Sequence, residues 1–145
     1  MYKHILLPTD GSELSDTTVR AGLKFAKEIG ARVTVLHVTA PFHPIELTPA
    51  TLTAHMQEHD AKAKESAQRA LGAVTEAARA AGVPCTTVHR VSTSPYEAII
   101  ALAAEAGCDL IFMASHGRRG VAALLLGSET NKVLTHSKIP VLVTR

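Results

Sequence analysis

Short apolar runs rich in β-branched residues alternate, along the 145-residue chain, with longer stretches whose apolar positions recur every three or four residues. This alternation predicts βα units wound about a parallel sheet: a strand covered on both faces is apolar throughout, and a surface helix is apolar along one stripe. Five strands are predicted, at His4 to Pro8, Arg32 to Val38, Thr86 to Val91, Asp109 to Ala114 and Val141 to Thr144. The third carries Thr86, Thr87 and His89, is the most polar, and is expected at a sheet edge. Gly30, Gly82 and Gly107 each follow an apolar helical stretch and precede a strand, as helix-closing glycines do. Ser94-Pro95-Tyr96-Glu97 predicts a helix start, with Ser94 as the cap, Pro95 in the first position and Glu97 returning the capping bond. Pro41, Pro44 and Pro49 interrupt residues 40–49 and predict a surface excursion. A long pattern then resumes near Thr51, and Leu52, Met56, Ala63, Ala67, Leu71, Val74 and Ala78 predict one buried helix face. No linker interrupts the pattern, so a single domain over residues 1–145 is expected.

Composition agrees with that picture and removes several classes of function. Apolar residues make up 46% of the chain, enough for one core. Fifteen Lys and Arg against thirteen Asp and Glu leave a net charge of +2, too little for a nucleic-acid binder. Apolar runs such as Val121 to Leu126 fall far short of the ~20 residues of a membrane span. Lys3 and His4 precede only three apolar residues before Pro8, which is no secretory signal, and a cytoplasmic protein is expected. Cys85 and Cys108 lack C-x-x-C spacing and read as free core thiols.

In an open parallel sheet, ligands bind beyond the carboxyl ends of the strands where the strand order reverses. Two turns there carry the chemistry: Pro8-Thr9-Asp10-Gly11-Ser12 after strand one, and Ser115-His116-Gly117-Arg118-Arg119-Gly120 after strand four. A strand order of 3-2-1-4-5 brings both turns to one crevice. Gly127-Ser128-Glu129-Thr130 then opens a last helix, and glycines beside a helix amino end suit phosphate: Gly117, Gly127 and Ser128 are the predicted contacts. Arg118, Arg119 and Lys132 either add charge or are solvated surface. Asp10 either binds a ribose hydroxyl or a water-held metal, or caps the helix that follows. His116 either donates to a phosphate or holds the backbone in place, and no second residue forms an acid–base pair with it.

Pro8-Thr9-Asp10-Gly11-Ser12, Met113-Ala114-Ser115-His116-Gly117, nine further residues, Gly127-Ser128, and Ile139-Pro140-Val141-Leu142-Val143 together resemble the universal stress protein family over essentially the whole chain. The signature of its ATP-binding members is Gly, two residues, Gly, nine residues, Gly, then Ser or Thr. This sequence matches from Gly117 onward and has Ala114 where the first glycine stands. The resemblance implies an α/β fold, a three-layer, Rossmann-like open sheet of the adenine nucleotide alpha hydrolase kind. It also implies that Pro8, Thr9, Asp10 and Val38 surround adenine and ribose, with Met113, Ala114, His116 and Gly117 alongside, while Gly127, Ser128, Glu129 and Thr130 take the phosphates. Expected ligands are ATP with Mg²⁺.

Rival motifs are missing or weak. Neither G-x-x-x-x-G-K-[ST] nor G-x-G-x-x-G occurs. Strand three ends in Val91-Ser92, without the Asp of a phospho-accepting receiver, and strand one lacks the Ser-Gly-Gly turn of an ATP-pyrophosphatase. His55-Met56-Gln57-Glu58-His59 fits H-x-x-E-H, but no third zinc ligand stands near it in sequence, so a solvated helix face is expected. The residues promise a phosphate cradle without an oriented water or a means of stabilising transferring charge, so a binding protein rather than a committed enzyme is expected. Val141, Leu142 and Val143 form an apolar strand predicted at a sheet edge, which invites pairing with a second copy. The expected assembly is a homodimer through Val141 to Thr144. Nucleotide occupancy would bias a protein partner, or else a dimeric interaction module would retain a vestigial glycine loop.

Overall fold

A computed structural model describes residues 1–44, 48–116 and 125–145. The elements run β1 (His4–Thr9), α1 (Glu13–Ile29), β2 (Arg32–Thr39), α2 (Pro49–Ala81), β3 (Cys85–Val91), α3 (Pro95–Glu105), β4 (Leu110–Ala114), α4 (Ser128–His136) and β5 (Val141–Thr144). The five strands form one sheet in the order β3-β2-β1-β4-β5, and every pairing is parallel. The strand order, the edge position of β3 and all five predicted strands are observed, with ends within one residue of those read from the sequence.

Side-chain alternation along the central strands feeds two cores. Ile5 and Leu7 of β1, with Val33, Val35 and Phe112, pack on Val19 and Leu23 of α1 and on Leu71 and Val74 of α2. Leu6, Leu36, Ile111 and Met113 point the other way, toward Ile99 and Leu102 of α3 and Val133 of α4. Burying each such side chain contributes roughly 1.5–3 kcal/mol, and the polar residues buried beside them in β1 and β2, His4, Thr9, Thr34 and His37, are hydrogen-bonded. Gly30, Gly82 and Gly107 close their helices with φ of 70°, 71° and 67°, the left-handed geometry expected of them.

Two expectations are corrected. The helix face predicted to be buried from Leu52 onward is buried only from Ala67; Leu52 is half-buried and Met56 is 45% exposed. The cause is length: 33 residues of helix span about 50 Å, whereas the eight residues of β2 span about 26 Å. The first half of α2 therefore outruns the sheet. At α3, Pro95 holds the first position as predicted, but Ser94 makes no side-chain capping bond, and Glu97 accepts instead from the Tyr96 hydroxyl at 3.0 Å.

The amino ends of the strands are tied together by polar groups. Asp109 accepts the backbone N–H groups of Lys3 at 2.8 Å and His4 at 3.0 Å, fixing the start of β1 against β4. His4 is buried with its Nε2 2.8 Å from Thr34 Oγ1. Burial, reinforced by the Asp109 carboxylate, pushes the nearby Cys108 thiol up to about 11, so it stays protonated and unreactive at neutral pH.

Candidate functional site

At the opposite rim β1 ends in a turn locked by hydroxyls. Thr9 Oγ1 accepts from Gly11 N–H at 3.2 Å and from Ser15 Oγ at 3.1 Å, while Asp10 N–H donates to Ser15 Oγ at 3.1 Å. Asp10 Oδ1 accepts Ser12 N–H at 2.9 Å, closing a side-chain turn of the kind Asp favours. Ser12, not Asp10, caps α1, its Oγ accepting Ser15 N–H at 3.2 Å. Gly11 has φ of 75°, which a side chain would disfavour. From the neighbouring strand His37 Nδ1 donates to the Thr9 carbonyl at 3.0 Å, steadying the last residue of β1. Neither Ser15 nor His37 was legible as a site-shaping residue, since each acts through a bond that only the folded chain closes.

Register explains the position of Val38. The last β1–β2 pair is Thr9 with His37, and β2 continues to Thr39, so Val38 and Thr39 stand beyond β1 at the mouth of the crevice.

The β4 side is held from α4. Thr130 Oγ1 donates to the Ala114 carbonyl at 3.0 Å, and Gly127 N–H donates to the Ser115 carbonyl at 2.8 Å. A Cβ at Gly127 would sit 3.1 Å from that carbonyl oxygen and 3.4 Å from His116 Cα; its φ is −59°, so glycine is needed there for space rather than torsion. The close approach that Gly127 allows is thus to the β4 turn. Asn131 N–H is bonded to the Gly127 carbonyl at 2.9 Å, which leaves the amides of residues 128–130 at the helix's positive end. Ser115 Oγ and His116 Nδ1 are 2.9 Å apart, and His116 Nε2 is buried with no partner among the described residues. Glu129 turns its carboxylate sideways: Oε2 accepts Tyr96 N–H at 2.8 Å and Oε1 accepts Lys132 Nζ at 3.3 Å.

These pieces enclose a cavity of about 830 Å³. Pro8, Thr9 and Asp10 line it from β1, Val38 from β2, and Met113, Ala114 and His116 from β4. Gly127, Ser128, Glu129 and Thr130 line it from α4. The predicted contact Gly117, with Arg118 and Arg119, lies outside the described residues. The sequence reading missed a second wall. Thr39 borders the cavity from the end of β2, Ala40, Pro41 and His43 from the excursion, and Ser92, Thr93 and Pro95 from the β3–α3 turn and the start of α3. Leu125 and Leu126, 74% and 47% exposed, add an apolar lip. A smaller hollow of about 420 Å³ sits at the opposite rim, beside Lys3, Lys27 and Arg32, with none of this convergence.

On the long helix His55 is exposed, while His59 Nε2 bonds the Ala40 carbonyl at 2.9 Å and its ring meets Phe42 edge-on at 5.6 Å. Among the described residues no group of three or more His, Cys, Asp and Glu side chains is placed to hold a metal ion, and no helix is long and apolar enough to cross a membrane.

Comparison with known proteins adds three findings. The sequence profile described as the Universal stress protein family matches residues 1–145. Universal stress protein MJ0531 of Methanocaldococcus jannaschii is 32% identical over 145 residues, covering 100% of this chain and 83% of that protein. MJ0577 of the same organism is 30% identical over 156 residues, covering 100% of this chain and 96% of that protein, and its solved structure superposes with a TM-score of 0.83. A universal stress protein from Archaeoglobus fulgidus, solved in complex with dAMP, shares the fold at a TM-score of 0.67 and 19% identity, covering 99% of this chain and 98% of that one.

Proposed function

The chain belongs to the universal stress protein family, and from that membership we propose that it is a single-domain cytoplasmic regulator that binds ATP with Mg²⁺ and signals occupancy to a protein partner. One observation carries the reading: two turns distant in sequence, and the first turn of α4, border the same cavity. Its volume of about 830 Å³ lies in the range of small-molecule sites, roughly 300–1,000 Å³. The dAMP complex of the A. fulgidus relative supports an adenine nucleotide as the ligand class. Adenine and ribose lie between Pro8, Thr9, Val38 and Met113, and the phosphates meet the amides of residues 128–130, where the helix's partial positive charge favours an anion. His116 Nε2, which has no partner among the described residues, is a polar group on that side. Asp10 would supply a carboxylate to Mg²⁺, whose charge would offset that of the phosphates.

The assembly proposed is a homodimer through β5, which has no strand on its outer edge among the described residues. Phosphoryl transfer is not part of the reading.

A second reading, a dimeric interaction module that needs no nucleotide, is favoured by Ala114, whose methyl replaces a signature glycine on the cavity wall. Calorimetric titration with ATP and Mg²⁺ separates the two. Micromolar binding that weakens in Asp10→Ala and Ser128→Ala and tightens in Ala114→Gly supports the nucleotide reading; no heat at millimolar ATP overturns it.

A further inference from the structure

We propose that Glu129 is a positioning residue: its carboxylate joins the amino ends of α3 and α4 and so aims the amides of residues 128–130 at the cavity, without itself touching the ligand. The proposal rests on the nucleotide reading of the cleft.

The geometry begins with a missing cap. Ser94 leaves the first turn of α3 without a side-chain acceptor, and Glu129, 33 positions away in sequence, fills the vacancy by accepting Tyr96 N–H at 2.8 Å. Its other oxygen takes Lys132 Nζ at 3.3 Å, and Lys132 stands 5.5 Å above the Tyr96 ring, which also lies 5.4 Å from the His136 ring. The first turns of the two helices are therefore clasped together through one carboxylate.

Electrostatics gives the clasp its purpose. Each helix amino end carries about half a positive charge, and both ends border one cavity, Pro95 on one side and Ser128 on the other. Two like ends repel, and an anion between them offsets the repulsion. Glu129 borders the cavity, and a carboxylate one residue from Ser128 would oppose phosphate if it were left without partners. Committed to Tyr96 N–H and Lys132, it leaves the cradle to the amides.

The test uses Glu129→Gln, Glu129→Asp and Glu129→Ala in the full chain. Each is titrated with ATP and Mg²⁺ and with adenosine, and the exchange rate of the Tyr96 amide is measured without ligand. Gln keeps an oxygen at the same reach; Asp keeps the charge but withdraws it by one methylene. A cap is worth about 1 kcal/mol, so Ala and Asp are expected to weaken ATP about fivefold. They should leave adenosine unchanged and speed Tyr96 exchange, while Gln restores ATP affinity and Tyr96 protection. ATP binding in the Ala variant at or above the parent's affinity, or Tyr96 exchange unaltered in both Ala and Asp, overturns the proposal. If the parent binds neither ATP nor adenosine, the nucleotide reading fails and the positioning role with it, whereas the exchange rates still show whether the clasp exists.

Discussion

Changing Thr130 to Val removes one oxygen from the joint between α4 and the end of β4 while keeping the side chain's shape. Thr130 is only 3% exposed, and its hydroxyl donates to the Ala114 carbonyl at 3.0 Å. The branched side chain leaves no cavity behind, so the cost is that of a buried acceptor deprived of its donor, about 1–3 kcal/mol. For a chain of this size each kcal/mol moves the melting temperature by roughly 2–4 °C, so Thr130→Val should melt about 2–12 °C lower. Thr130→Ser keeps the donor and deletes a methyl, worth about 0.8 kcal/mol. Urea unfolding of the three proteins, compared at equal slope, gives the free energies directly. A Thr130→Val protein within about 0.5 kcal/mol of the parent, the size of an ordinary surface change, would show that the bond contributes nothing. A Thr130→Ser protein as unstable as the Val variant would show that the methyl contributes as much as the hydroxyl.

Two further outcomes concern pH and assembly. Burial, aided by the Arg32 charge, holds the His4 imidazole below its ordinary value of 6.5. The unfolded chain therefore takes up a proton near pH 6.5 that the folded chain resists, and stability falls as pH drops through that point, by at most about 1.4 kcal/mol per pH unit for one group. Urea unfolding between pH 7.5 and 5 should give a shallower decline for His4→Leu; identical slopes would remove His4 as the cause. At the β5 edge, the Pro140 and Thr144 carbonyls face β4, so by alternation Val141 and Val143 turn their backbone groups outward. Light scattering of Val143→Pro, which removes an outward donor, should report a monomer, and the Val141→Lys, Val143→Lys double variant, whose side chains also pack against the core around Leu6 and Ile111, should do the same at a cost in stability. A dimer mass retained in both refutes that interface.

The fold was readable because its determinants are local. Short, continuous apolar runs such as Leu110–Ala114, bounded by turn residues, suit a strand covered on both faces, and Gly30, Gly82 and Gly107 at the ends of the first three helices need only their own torsion. The cleft was readable in outline for the same reason: Asp10, Ser128 and their neighbours are short turn segments whose residue types announce them. What sequence could not supply were bonds between segments. Glu97 satisfies the spacing of a capping box, yet the acceptor for Tyr96 comes from Glu129, and no local pattern encodes a partner 33 positions away. The buried face of α2 was overextended because periodicity records a helix's stripe but not where the sheet beneath it stops. Ala40, Pro41 and His43 looked like idle surface because the prolines that break a helix say nothing about what the excursion leans over.

The sheet keeps its two errands at opposite poles. Anchorage through Asp109 and the His4–Thr34 pair sits at one end of β1, and the candidate cleft sits at the other, six residues and about 20 Å away. Substitutions so far apart, with no shared neighbours, act independently to within about 0.5 kcal/mol. Selectivity can therefore be rewritten at the cleft, residue by residue, without loosening the foundation, and the foundation can be hardened without blunting what the cleft recognises.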